Sequence, residues 1–270
     1  MFLYNRGILV SSFTVKLCIF PIEICSSFKF IGGIIVQRHS SCGVLLFVKY
    51  PSKGIVKSRL SPDLDKNRIV VLYRAFVDDA FHMLKRTPYS VIICYHPPDA
   101  LGCFEDWLGT GYQCIPQVGS NLGERMKNGF QQGFSLGFDR LLVIGSDSPD
   151  LPAETIVEAF HQLDEYDAVI GPCRDGGYYL FGCTRQCFSP LVFQGISWST
   201  PAVFQETMTR LSKEGLRTFV LPEWRDVDTI DDLRDFFLRN QKTEFKVSAT
   251  MEVLRSYFNG EEYCLRNRRM

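Results

Sequence analysis

VLLFVKYPSKGIVKSRL, residues 44–60, decides the fold. It opens as an apolar run of strand length, VLLFVK (44–49), and ends as a loop carrying Lys49, Lys53, Lys57 and Arg59. The stretch after it, NRIVVLYRAFVDDAFHMLKR (67–86), has helical periodicity, with Val70, Leu72, Ala75, Phe76 and Ala80 toward one side. A strand, a loop and an amphipathic helix make the first half of a βαβ unit, and the rest of the chain repeats the pattern. Strands are expected at SVIICY (90–95), YQCIPQ (112–117), RLLVIG (140–145), DAVIGP (167–172), YYLFGC (178–183) and RTFVLP (217–222). Helices are expected at DALGCFEDWL (99–108), NLGERMKNGFQQGFSLG (121–137), PAETIVEAFHQL (152–163), PAVFQETMTRLSKEG (201–215) and TIDDLRDFFLR (229–239). Their ends carry the usual punctuation: Pro152 and Pro201 at first helical positions, Gly137 and Gly215 at closures, and Thr229 as an N-cap with Asp232 three residues on.

Strands alternating with helices predict a mostly parallel sheet with both faces covered, an α/β fold of three layers, α/β/α. One domain is expected over residues 44–240. Residues 1–43 form an N-terminal extension, expected to be poorly ordered, and 241–270 a helical or frayed tail. The apolar runs in the extension are broken by Lys16 and Glu23 and fall short of the ~20 residues of a membrane span.

Thirty basic and thirty acidic residues cancel, which argues against a nucleic-acid binder working by bulk charge. The ten cysteines are scattered, with no C-x-x-C pair and no His near Cys183 and Cys187 to make a zinc site. They read as buried free thiols, as in Cys94 and Cys183, and the compartment rule then points to the cytoplasm. Against this neutral background the basic loop is the informative feature.

In open α/β sheets ligands bind beyond the carboxyl ends of the strands. The site should therefore be built from the loops after the strands: YPSKGIVKSRL after the first, SDSPDLP after 140–145, CRDGGYY after 167–172, EWRDVDT after 217–222. One basic loop and three acidic ones converge on one edge. Cations opposite carboxylates suit an anionic ligand with a divalent metal, because the metal removes the repulsion between carboxylate and phosphate. Asp147 and Asp228 are the candidate ligands for Mg²⁺ or Mn²⁺. Gly54 lets the loop turn tightly, and Lys57 and Arg59 reach for phosphate oxygens. Lys49, Arg125 and Thr200 are further substrate-binding candidates, as are Gly176 and Gly177 beside Asp175. The loop is not a P-loop, since Lys57 stands three residues after Gly54. Asn121 is expected to cap its helix with Glu124 in a capping arrangement, and Thr200 to cap the helix opened by Pro201.

VKYPSKGIVKSRL, QVGSNLGERM, IGSDSPDLP, GPCRDGGYYLFG, ISWST and RDVDTIDDL occur in that order. Together they resemble the glycosyltransferase-A-like family associated with arsenosugar biosynthesis, also described as radical-SAM/selenodomain-associated transferases. The resemblance covers roughly residues 44–236. It implies the nucleotide-diphospho-sugar transferase (GT-A-like) fold, a nucleoside phosphate in the cleft and a divalent metal held by acidic residues. It places Asp147 as the metal Asp after the central strand and Asp228 as the Asp of the D-x-D-T block. The basic loop falls where related nucleotidyltransferases have a Gly-rich phosphate loop.

The leading expectation is a metal-dependent transferase with a nucleotide-sugar donor and a small-molecule acceptor, with Asp175 as general base or sugar-orienting group. A nucleotidyltransferase, using a nucleoside triphosphate and releasing pyrophosphate, is the alternative. A non-catalytic nucleotide-binding domain is the third. None of the three needs nucleic acid or a membrane span.

Overall fold

The computed structural model describes residues 41–258 and, ahead of them, β1 (Phe28–Ile31) and β2 (Ile34–Gln37), which pair antiparallel as a unit of their own. The remainder of the expected extension and the tail past residue 258 lie outside the described residues. The domain itself starts at β3 (Cys42–Lys49), two residues earlier than apolarity alone suggests. Cys42 and Gly43 already pair with Arg140 and Leu141 of the neighbouring strand, and pairing, not apolarity, sets a strand's end.

Six more strands complete the sheet: β4 (Ser90–His96), β5 (Gln113–Pro116), β6 (Arg140–Ile144), β7 (Ala168–Pro172), β8 (Tyr178–Thr184) and β9 (Thr218–Val220). The seven strands lie in the order β5-β4-β3-β6-β8-β7-β9. β3 lies near the centre, parallel to β4 and β6. It is apolar on both faces because both faces are covered. β8 alone runs against its neighbours β6 and β7. The loop between β7 and β8 spans only residues 173–177, too short for the crossover a parallel partner would need.

The helices are α1 (Lys66–Lys85), α2 (Leu101–Leu108), α3 (Leu122–Ser135), α4 (Ala153–Gln162), α5 (Val203–Lys213), α6 (Ile230–Asn240) and α7 (Ala249–Phe258). Alternation along β3 splits the core in two. Val44, Leu46 and Val48 face α1, α4, α6 and α7 through residues such as Phe76, Phe160, Phe236 and Met251. Leu45 faces α3 and α5 through Phe130 and Leu211. The buried stripe of α1 runs Ile69, Leu72, Tyr73, Phe76, Val77, Ala80, Phe81 and Leu84, spaced by three and four. Val70, placed on that side from sequence, is only half-buried, and Ile69 takes its place. No helix among the described residues is long and apolar enough to cross a membrane.

α7 shows that part of the expected tail is structure. Met251, Leu254 and Phe258 are buried against the rest of the core. Its first turn is capped from another helix: the Asp79 carboxylate of α1 accepts from the backbone N–H of Ala249 at 3.0 Å and of Thr250 at 2.8 Å. Asp79→Ala is expected to cost about 1 kcal/mol, the usual value of a lost cap. It should appear in urea titrations as a lower midpoint with an unchanged slope.

Candidate active site

The loops beyond β3, β6, β7 and β9 line one open cleft of about 870 Å³. Lys49, Lys57, Arg59, Arg125, Asp147, Asp175, Gly177, Thr200 and Asp228 all contribute to its wall. Gly54 and Gly176 do not. Gly54 turns the basic loop at φ 78° with no neighbour near, and Gly176 serves packing.

The basic loop is anchored, not floating. Val56 and Leu60 are buried in the core and bracket Lys57 to Arg59. Lys57 itself takes a left-handed backbone, φ 46° and ψ 44°, which costs a non-glycine residue about 1–2 kcal/mol. That conformation goes with a fully engaged ammonium. Nζ lies 2.5 Å from Asp147 Oδ1, 2.9 Å from Asp228 Oδ1 and 2.7 Å from the carbonyl of Val227, and the side chain is 4% exposed. Three acceptors take all three protons of the ammonium. Burial alone would lower the pKa of Lys57, but Asp147 and then Asp228 outweigh it and raise it, so the cation is permanent at neutral pH. Burial likewise works to raise Asp228, while Lys57 and Arg59 hold it below the usual carboxylate range. Arg59 Nη1 sits 3.2 Å from Asp228 Oδ2.

Sequence reading assigns Asp147 and Asp228 to a metal and Lys57 to phosphate. The structure brings the three together and sets Lys57 between the two carboxylates. Among the described residues that line the cleft, the cations without a carboxylate partner are Lys49, at the end of β3, and Arg125, whose Nε donates to the carbonyl of Gly119 at 3.2 Å. Their field is felt by His96 at the end of β4: burial, then Arg125 and Lys49, depress its pKa. Asn121 does cap α3, its Oδ1 accepting from Glu124 N at 2.9 Å, and Glu124 reaches back to Ser120 N at 2.8 Å. Thr200 is not a helix cap. α5 begins at Val203, after a turn through Pro201 and Ala202. The Thr200 hydroxyl donates to Ser197 O at 2.7 Å and accepts from Ala202 N at 3.3 Å. Asp175 sits at the tip of the β7–β8 hairpin, where its Oδ1 accepts from Gly177 N at 2.8 Å.

Asp226 is the functional candidate that sequence reading passes over. It lines the cleft floor, with Oδ1 accepting from Ser148 Oγ at 2.6 Å and from the Cys173 thiol at 3.1 Å. Burial, then the charge of Asp147, push its pKa up to about 6. The signal is present in the sequence: in an extended segment residues i and i+2 point the same way, and the intervening Val227 is fully buried. Asp226 therefore shares the side of Asp228. Tyr73 is a second omission. Its hydroxyl accepts from Lys49 N at 2.9 Å and Ser146 Oγ at 3.2 Å, tying the ends of β3 and β6 together. Asp150, from the same acidic loop as Asp147, is structural: it accepts from Arg239, Asn240 and Trp224 and clamps α6.

The donor set suits a hard divalent cation. Asp147, Asp226 and Asp228 are carboxylates on one cleft, and ligand atoms of Cys173, Asp175 and Asp226 all lie within 4.8 Å of one another. The thiol in that group is an unsuitable partner for Mg²⁺, since burial and the charge of Asp226 keep it protonated. The carboxylates are the residues that fit.

The cleft lies at the carboxyl edge of a mostly parallel sheet, with cations facing carboxylates, and the fold is that of the nucleotide-diphospho-sugar transferase class. Within it the chain belongs to the family described as an uncharacterized protein conserved in bacteria (DUF2064), which matches residues 78–200. A solved structure from Desulfovibrio desulfuricans G20, provisionally named a nucleotide-diphospho-sugar transferase, is 40% identical. It aligns over 84% of this chain and 97% of that one with a TM-score of 0.79. The 2-phospho-L-lactate guanylyltransferase of Methanocaldococcus vulcanius is 23% identical over 125 residues, 45% of this chain and 54% of that protein. The matched stretch spans about half the length of that curated relative.

Proposed function

We propose that the protein is a metal-dependent transferase that takes a nucleotide-sugar donor and passes the sugar to a small-molecule acceptor. The observation that carries this is that Lys49, Arg59 and Arg125 line the same cleft as Asp147, Asp226 and Asp228. Lys49 and Arg125 have capacity to spare for diphosphate oxygens, and Arg59 can share. Pre-placed cations help most where charge develops, here on the departing nucleoside diphosphate. Lys57 holds Asp147 and Asp228 in place. Asp175, close to the carboxylate floor, receives the proton of the acceptor hydroxyl. A bound Mg²⁺ or Mn²⁺ on the carboxylates would add charge stabilisation of the leaving diphosphate.

The nucleotidyltransferase reading is supported by the archaeal guanylyltransferase relative, and the same cations would then hold a triphosphate. An arsenosugar product rests on the sequence resemblance alone. A thermal-shift panel of nucleotide sugars and nucleoside triphosphates, each with Mg²⁺, Mn²⁺ or EDTA, separates the readings, because a ligand of the native state raises its melting temperature. The expected result is a metal-dependent rise with a nucleotide sugar, lost in Asp147→Ala. A rise with a triphosphate and release of pyrophosphate would favour nucleotidyl transfer. No response to any nucleotide would sink both.

A further inference from the structure

The cleft has one wall of which the transfer chemistry uses only Asp175. The β7–β8 hairpin tip and the segment 196–201 are locked into a single surface. Phe204 N donates to Gly176 O at 2.8 Å, and a Cβ on Gly176 would fall 2.1 Å from the carbonyl oxygen of Pro201. Glu206 pins Ser197 through its N–H at 2.6 Å and its hydroxyl at 3.0 Å. Ser199 is held at φ 67°, a left-handed conformation a non-glycine residue adopts only when its surroundings impose it. Trp198 is laid on the start of α3: a Cβ on Gly123 would lie 2.4 Å from its ring. Tyr178 meets it nearly edge-on at 6.5 Å.

This surface presents an indole, two hydroxyl residues and a carboxylate to the cleft. Among the described residues the Trp198 Nε1–H and the Ser199 hydroxyl have no hydrogen-bond partner, and Asp175 keeps Oδ2 free of hydrogen bonds. Neither segment adds a cation to the cleft, since Arg174 turns away to Glu223 at 3.1 Å. A rigid aromatic with a few unsatisfied donors and acceptors, and without positive charge, suits an uncharged ring bearing hydroxyls. A second phosphate or carboxylate would meet Asp175 with nothing on these segments to offset it.

Resting on the function proposed above, we infer that Trp198, Ser199 and Asp175 form a subsite for a neutral, hydroxylated ring, with Trp198 as its specificity-determining residue. The ring is either the donor's sugar or a sugar-like acceptor, and the two are distinguished by experiment. Calorimetry on the full chain in Mg²⁺ compares ADP, GDP and UDP with their glucose, mannose and galactose conjugates. If the donor's sugar occupies the subsite, the best conjugate binds about tenfold tighter than its own diphosphate, the worth of one good aromatic contact. Trp198→Ala then brings that ratio to about one, and Trp198→Phe keeps part of it. If the acceptor occupies it, the ratio is already about one, and saturation-transfer NMR detects free monosaccharides on the diphosphate-loaded protein but not on loaded Trp198→Ala. Nucleotide binding with no ring preference in either arm, or a preference that survives Trp198→Ala in a folded variant, overturns the inference and leaves the proposed function standing. Failure to bind any nucleotide overturns both.

Discussion

Lys57→Met is expected to lower transfer by about 10²-fold, the order of loss when groups that position a ligand shift by about 1 Å. Methionine fills the same volume but brings no proton. Asp147 and Asp228 would then face each other across a gap that an ammonium had neutralised, and the carbonyl of Val227 would lose its donor. Breaking a fully buried ion pair costs about 3–5 kcal/mol. Here Asp147 is 48% and Asp228 32% exposed, so water absorbs much of the loss and about 1–2 kcal/mol is expected. Lys57→Arg should not rescue turnover, because a planar guanidinium cannot place its donors on three acceptors gathered around one point. The raised pKa sets the sign of the pH dependence: the folded state holds the Lys57 proton more tightly than the unfolded chain, so its stabilisation is complete below the unfolded value of 10.5 and fades only as pH rises through the folded one. The stability gap between wild type and Lys57→Met should therefore stay flat over about pH 8–9, above the range in which Asp226, whose pKa the charge of Lys57 helps to hold down, titrates. Steady-state kinetics and urea titrations check both parts. Undiminished turnover in Lys57→Met would remove Lys57 from the machinery.

Much of this arrangement is legible in the sequence because α/β alternation is a strong constraint. Once VLLFVK and RLLVIG read as parallel strands of one sheet, the loops after them have to share an edge, which puts Lys57 and Asp147 on the same side of the molecule. What they do together is not legible. Sequence gives the sign of each charge, and two carboxylates beside a phosphate loop suggest a metal. Only the distances from its Nζ to Asp147 and Asp228, 2.5 and 2.9 Å, show that the ammonium itself bridges the carboxylates. Trp198 reads as part of a short motif because nothing local says that it lies against Gly123, 75 positions away by number. The helix in the expected tail is marked locally by Ser248, whose hydroxyl accepts from Met251 N at 3.2 Å, but its other cap, Asp79, sits on α1 and is not legible there.

Asp226→Asn is expected to make the protein more stable at neutral pH while reducing transfer by about 10²-fold or more. Burial, together with repulsion from Asp147, lifts this carboxyl from an ordinary 3.8 to about 6. Between those values the folded protein binds more protons than the unfolded chain, so stability falls as pH climbs through the window and the penalty is complete above it. At ~1.4 kcal/mol per pH unit the full penalty is about 2–3 kcal/mol. Asparagine removes the charge and keeps an acceptor oxygen for Ser148 Oγ and the Cys173 thiol, while its new N–H group can donate toward Asp147. Melting curves of wild type and variant should nearly coincide at about pH 4 and separate in the variant's favour by about pH 8. A variant that gains nothing at high pH would mean that the carboxylate is already compensated in the folded protein. A variant that gains stability and keeps full turnover would mean that Asp226 is buried for packing alone. Stability gained and transfer lost, the expected pair of results, would mean that a charge is kept at the cleft floor for its effect on a bound ligand.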